Sequence, residues 1–94
     1  MPVMFVSPPF TQEQYEESVR KLTGKDRLDS PADWPVEGLL SHSAGQGEGH
    51  FRVVDIWESE EAANRFGEII VPILRELGVE GDPDLYSVHT YVSA

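Results

Sequence analysis

Three side chains in the second half of the chain have the chemical types that acid–base catalysis requires. His89 and Tyr91 are two residues apart in a run rich in β-branched and aromatic residues, so they share one face of a predicted strand. An imidazole, with an ordinary pKa of about 6.5, suits proton transfer from a phenol near neutral pH. Asp55 lies within an apolar strand, where a carboxylate either pairs with a cation such as Arg52 or a helix residue, or has a raised pKa. We expect His89, Tyr91 and Asp55 to be the catalytic residues of an enzyme; the alternative is that all three are structural.

Two further histidines flank a glycine-rich segment and raise the question of a metal site. A five-residue loop over 45–49 would pair Ala44 with His50, and would place His42 and His50 as diagonal neighbours on one face of the sheet. Two imidazoles can share a metal, but such sites usually need a third or fourth ligand, and nothing obvious in the sequence supplies one. We therefore expect no metal and no cofactor, with both histidines partly exposed beside the loop.

Aromatic side chains form a second group of candidates. Aromatic residues dominate small cores, so packing between helix and sheet is one interpretation. The other is a flat apolar slot for a polycyclic ligand, in which a few polar side chains orient the bound molecule. The candidate substrate-binding residues are Trp57, Phe51, Phe66, Tyr15, Asn64 and Arg52.

The first helix is predicted from its capping residues. Thr11 and Gln14 have the spacing of a capping box, so the helix begins at Gln12. Gly24 suits the left-handed position after the last turn. The loop over 25–37 contains two prolines, three aspartates and Trp34, whose side chain we expect to fill a gap in the core.

The second helix has the clearest signals in the chain. Ser59 is a good N-cap, and the two glutamates that follow it complement the positive end of the helix dipole. Pro72 lies inside the apolar pattern, where it is expected to kink the helix without ending it. Gly78 is expected to terminate the helix.

Strands are predicted at 2–6, 38–44, 50–58 and 85–92, between and beside the two helices. This order predicts one α+β domain over 1–94 with the ferredoxin-like βαββαβ fold, a four-stranded antiparallel sheet with two helices on one face. Apolar residues alternate onto both faces of the third strand, which indicates that both faces are covered. We expect a second copy of the chain to cover the open face, giving a homodimer through the sheet; the alternative is a monomer with an apolar sheet face.

Charge and composition narrow the possible partners. Seven Lys and Arg against 17 Asp and Glu give a net charge of −10, and the chain has no cysteine. A field of this sign repels phosphate backbones and anionic lipids, so neither nucleic acid nor membrane is an expected partner. No cationic segment precedes the short apolar run at the amino terminus, which favours a cytoplasmic location. The sequence shows no Walker loop, Ser-His-Asp order or zinc-type spacing.

One segment comprises the run from Phe51 to Ala62 (FRVVDIWESEEA) and the rest of the second predicted helix, which contains Pro72 and ends at Gly78. It resembles the antibiotic biosynthesis monooxygenase-like group of dimeric α+β barrel proteins. The resemblance implies a small aromatic or apolar ligand between sheet and helices, and a cofactor-independent oxidation in which a base such as His89 deprotonates a phenol. The haem-degrading branch of the group uses an asparagine on the first strand and a histidine near the second helix, and neither is present here. A non-catalytic dimeric binding or assembly module remains the alternative.

Overall fold

Two helices pack on one face of a four-stranded antiparallel sheet. The computed structural model describes residues 2–24, 31–47 and 49–92. The elements are β1 Val3–Val6, α1 Gln12–Thr23, β2 Leu39–Gly47, β3 His50–Trp57, α2 Glu60–Glu76 and β4 Asp84–Ser87, with a 3₁₀ turn at Pro31–Asp33. The antiparallel strand order β2-β3-β1-β4 confirms the predicted ferredoxin-like βαββαβ fold. In the described part of the chain, no helix has the length and apolar character needed to cross a membrane.

The sheet separates an inner face, under the helices, from an outer face. Alternate residues of β3 are buried, from Phe51 to Trp57, and the residues between them are exposed or half-buried. β1 follows the same alternation, with Val3 and Phe5 buried. The inner face therefore includes Asp55, which is fully buried among apolar neighbours.

The helix α1 begins and ends where its capping residues predict. Thr11 Oγ1 accepts a hydrogen bond from the Gln14 amide, and the Gln14 side chain accepts one from the Thr11 amide, each at 3.0 Å. Gly24 follows the last turn with a left-handed φ of 75°. The Gln14 side-chain amide also donates to the carbonyl of Leu77, just past the end of α2. This bond helps to fix α1 beside α2, and so helps to place Tyr15 over the sheet.

The helix α2 packs its apolar stripe on the inner face of the sheet. Phe66, Ile70 and Leu74 are buried at successive turns, and the Phe66 ring lies 4.9 Å from that of Trp57. Ser59 caps the helix through the Ala62 amide, as predicted. The helix continues past Pro72 to Glu76, and backbone bonds from residues 77–79 close its end.

The hairpin between β2 and β3 is longer than the predicted one. Its strands continue to the pair Gly47 and His50, so the predicted five-residue loop over 45–49 is wrong. Ala44 pairs with Val53 instead of His50, and His42 lies opposite Asp55. The glycines of this segment carry no side chain to pack, so they permit strand pairing as readily as a loop.

The last strand is shorter than predicted. β4 ends at Ser87, whereas the sequence indicated a strand over 85–92. Ser87 pairs with Val3, the first residue of β1, so β1 offers no partner to the residues after Ser87. One further backbone hydrogen bond joins the Val88 amide to the carbonyl of Pro2, the residue before β1. Residues 89–92 are exposed and leave the sheet. Part of the predicted loop, residues 25–30, lies outside the described residues.

Candidate functional site

Three side chains from three different elements form a chain of hydrogen bonds on the inner face of the sheet. The Tyr15 hydroxyl on α1 lies 2.8 Å from His42 Nε2 on β2. His42 Nδ1 lies 2.5 Å from Asp55 Oδ1 on β3. The rings of Tyr15 and His42 are nearly parallel, with 16° between their planes. A carboxylate behind a histidine fixes the imidazole tautomer and stabilises its protonated form, an arrangement suited to general base catalysis.

The register of the hairpin brings His42 and Asp55 together. Residues directly opposite on neighbouring antiparallel strands share a face and lie close enough for their side chains to touch. Trp34, which follows the 3₁₀ turn, packs its ring against His42 at 4.7 Å between ring centroids. The imidazole thus packs beside both a tryptophan and a tyrosine ring and keeps only 17% of its side-chain surface exposed.

Burial raises the pKa of two of these three side chains. Burial raises the pKa of the Asp55 carboxyl, while the hydrogen bond and charge of His42 act in the opposite direction. Burial, and then the negative charge of Asp55, raise the pKa of the Tyr15 hydroxyl above 10.0. Tyr15 therefore stays protonated. Its hydroxyl can donate to His42 Nε2 in the tautomer that carries its hydrogen on Nδ1 and donates it to Asp55 Oδ1.

A small cavity lies beside these three residues, between the helices and the sheet. Its volume is about 30 Å³, which is room for one or two water molecules. The walls are mainly apolar, and their larger side chains are Phe5, Phe10, Trp34, Phe66, Ile70 and Leu74. The sequence suggested a flat slot for a polycyclic ligand. The cavity as it stands admits only one end of such a molecule, so a larger ligand requires side chains to move.

Several sequence-predicted residues lie at this cavity or directly behind it. Asp55, Tyr15 and Phe66 line it. Phe51 packs against the Tyr15 ring at 5.0 Å, and Trp57 is fully buried against Phe66 in the core. Of the Asp55 partners that the sequence suggested, Arg52 is wrong, because it is exposed on the other face of β3.

The other predicted site residues lie elsewhere. His89 is exposed and bonds to the hydroxyl of neighbouring Thr90 at 2.8 Å. Tyr91 is 40% exposed beyond the end of β4. Asn64 lies on α2 at an open groove beside Leu85. The structure does not bring His89 and Tyr91 together with Asp55, because the chain leaves the sheet before reaching them.

Sequence reasoning missed His42 as the partner of Asp55, and missed that Trp34 packs on that histidine. A signal was present, because a hairpin whose strands run on to Gly47 and His50 places His42 opposite Asp55. The predicted diagonal pair of His42 and His50 does not form, since His50 lies at the far end of the hairpin. Among the described residues, no group of three or more potential metal ligands is present.

Comparisons with known proteins support the fold. No protein-family model matches the chain. No curated protein matches it either. Two solved structures are similar over almost their full length. One is a variant of SnoaB, a cofactor-independent oxygenase from Streptomyces nogalater, with a TM-score of 0.64, 10% identity, and coverage of 99% of this chain and 98% of that one. The other is a putative monooxygenase from Shewanella loihica, with a TM-score of 0.56, 22% identity, and 96% of each chain covered. At these identities the likeness establishes the fold.

Proposed function

We propose that this chain, which has the fold of the small oxygenases to which it is similar, oxidises a hydroxylated aromatic molecule with dioxygen and without a cofactor. The observation that carries the proposal is the hydrogen-bonded chain of Tyr15, His42 and Asp55 at an otherwise apolar cavity. Proton removal makes a phenol electron-rich enough to react with dioxygen directly, so a base is the main chemical group that such an enzyme must supply.

The three residues would act as a proton relay. The substrate hydroxyl donates its proton to Tyr15 Oη while Tyr15 passes its own proton to His42 Nε2, which lies 2.8 Å away. His42 becomes an imidazolium, and the Asp55 carboxylate stabilises that charge through Nδ1. The raised pKa of Tyr15 disfavours a standing tyrosinate, so the tyrosine transmits the proton without storing the negative charge.

The substrate supplies all the electrons for the reaction with dioxygen. One oxygen atom bonds to a ring carbon, and the other leaves as water with the hydrogen from that carbon and the hydrogen from the hydroxyl. The product is a quinone, so no external reductant is needed. The apolar walls exclude water from the substrate anion, which strengthens its interaction with the imidazolium.

Oxygen consumption with a panel of polycyclic phenols tests this function. His42→Gln removes the base, and we expect the rate to fall about 10²- to 10⁴-fold. Tyr15→Phe interrupts the relay and keeps the ring, so its rate should also fall. His50→Gln, at the far end of the hairpin, is the matched control and should retain the wild-type rate. His89→Gln tests the base that the sequence suggested, and a loss confined to this variant would transfer the role from His42 to His89.

A wild-type protein that binds these phenols but consumes no oxygen would contradict the oxygenase proposal. It would favour the alternative of a non-catalytic binding module. Equal rates for wild type and His42→Gln would likewise remove the relay from the mechanism.

We also propose that the chain forms a homodimer through the outer face of its sheet. The outer face carries a row of paired apolar side chains, in which Met4 lies between Ile56 and Tyr86. Beside this row, Val6 lies opposite Val54. Tyr86 is 54% exposed and the others are half-buried, which is a costly surface for an isolated small protein.

Native mass spectrometry tests the dimer. We expect two chains for the wild type and one for Ile56→Lys, which places a charge in the centre of the outer face. Ile69→Lys is the matched control because Ile69 is an exposed isoleucine on α2, away from this face, and it should leave the dimer intact. A single-chain mass for the wild type would contradict the proposal.

A further inference from the structure

Asp55, which lines the cavity, has one buried side-chain oxygen without a hydrogen-bond partner among the described residues. Two serine hydroxyls of the cavity lining already have hydrogen-bond partners, since Ser18 Oγ donates to the Tyr15 carbonyl and Ser7 Oγ accepts from the Val53 amide. The Tyr15 hydroxyl, both nitrogens of His42 and Asp55 Oδ1 form the relay.

Asp55 Oδ2 has no hydrogen-bond partner in the described part of the chain. Only 1% of the Asp55 side-chain surface is exposed, so bulk water does not reach this oxygen freely. A buried carboxylate oxygen without a donor is costly, and proteins rarely keep one without a reason.

The charge pattern of the lining limits what can satisfy this oxygen. The described lining residues include one carboxylate and no lysine or arginine. A carboxylate on the ligand would therefore meet Asp55 without a cation between them. The group that fits must be a hydrogen-bond donor without negative charge, and it must be small, because the cavity holds only about 30 Å³.

We propose that the substrate carries a second hydroxyl group that donates a hydrogen bond to Asp55 Oδ2, so that the site selects dihydroxylated aromatic molecules over single phenols and over carboxylated ones. This inference rests on the proposed function, because the first hydroxyl is the one that loses its proton to the relay through Tyr15. Asp55 then has two separate contacts, one oxygen positioning His42 and the other binding the substrate.

Anaerobic binding titrations with the whole protein test this selection independently of turnover. The probes are naphthalenediol isomers with hydroxyls at different spacings, together with 2-naphthol, the monomethyl ether of each diol and 3-hydroxy-2-naphthoate. We expect at least one diol to bind about tenfold or more tightly than 2-naphthol and than its own monomethyl ether, since a hydrogen bond to a charged group is worth that ratio. The naphthoate should bind at least tenfold more weakly than that diol.

Asp55→Asn then identifies the acceptor. The amide can keep an oxygen towards His42 and present an N–H group in place of Oδ2, so the preference of the diol over its ether should fall to about onefold. Asp84→Asn is the matched control, because Asp84 is an exposed carboxylate on β4 outside the cavity lining, and it should keep the wild-type preference. The wild-type ligand comparison needs no variant, so it holds even if Asp55→Asn fails to fold.

The outcomes separate this inference from the proposed function. Equal binding of every diol and its ether, or a preference that survives in Asp55→Asn, would overturn the second hydroxyl contact. Tight binding of the naphthoate would also overturn it. Diol selectivity that depends on Asp55, combined with no oxygen consumption, would support the contact while removing the oxygenase function.

Discussion

Removing the imidazole of His42 isolates the energetic role of the buried carboxylate. His42 and Asp55 keep 17% and 1% of their side-chain surface exposed, so the pair is largely shielded from solvent. In His42→Ala the Asp55 carboxylate loses its one side-chain hydrogen-bond partner among the residues that the structure describes. Leaving a buried charge without its partner usually costs about 3–5 kcal/mol of stability.

The partial exposure of His42 sets the expected size of the loss. Water can enter the vacated space from the exposed side, so the cost should be at the lower end, about 3 kcal/mol. A 94-residue domain has about 5–14 kcal/mol of total stability, so the variant should remain folded but weakened. The corresponding fall in Tm is about 12–24 °C.

The loss should depend on pH in a defined direction. Burial raises the pKa of Asp55, and removal of His42 also removes both causes that lower it. The pKa of this carboxyl is higher in the folded state than its unfolded value of 3.8. Its protonation therefore stabilises the folded state, fully at a pH below 3.8, and this stabilisation is lost as the pH rises through the folded-state pKa. The cost of His42→Ala should therefore be small near pH 4 and full once the pH exceeds the raised pKa of Asp55.

Urea unfolding at about pH 4.5 and about pH 8, at one fixed protein concentration, measures both quantities. His42→Ala combined with Asp55→Asn should recover most of the loss at the higher pH, because no buried charge remains. His50→Ala is the control and should change stability by less than about 0.5 kcal/mol at either pH. A loss of under 1 kcal/mol at both values, or a loss that is larger in acid, would refute this account of the pair.

Three further changes test local features. Gly38→Ala should destabilise the fold by about 2 kcal/mol or more in urea unfolding, because its φ is 107° and an added Cβ would lie 2.9 Å from the Cβ of Ala62. Gly45→Ala, where an added Cβ meets nothing within 4 Å, should cost under about 1 kcal/mol, and equal losses would contradict the steric argument. Because the pKa of Tyr15 is raised, alkaline absorbance titrations of the wild type and Tyr15→Phe should differ by one tyrosine transition above pH 10.0, and a difference below that pH would contradict the raised pKa. Thr11→Ala breaks the capping box and should cost about 1 kcal/mol, and an unchanged urea midpoint would show that the cap adds nothing.

Much of the fold could be predicted from short-range features of the sequence. Thr11 with Gln14, and Ser59 with its two glutamates, mark the helix starts because each cap involves atoms within three residues of one another. The alternation of β3 also assigned its buried face correctly, including Asp55. These features depend on the backbone geometry of one element, so a single sequence is sufficient to read them.

The candidate site was harder to predict because it depends on which residues meet across elements. The sequence singled out Asp55 and Tyr15 but assigned them to different roles. It proposed His89 as the base and left His42 without a role, whereas the structure has His42 in contact with both Asp55 and Tyr15. The contact between His42 and Asp55 was missed because the hairpin glycines are compatible with more than one loop length, and each length pairs a different residue with Asp55.

The sequence by itself determined the order of the elements, their caps, the buried face of β3 and the net charge of −10. The tertiary structure decided the register that sets His42 against Asp55, the position of α1 that brings Tyr15 to the same imidazole, and the end of β4 before His89. The physical reason is the range of the interactions. Caps and alternation are satisfied within one turn or one strand, whereas register and helix position depend on packing between residues that are distant in the chain.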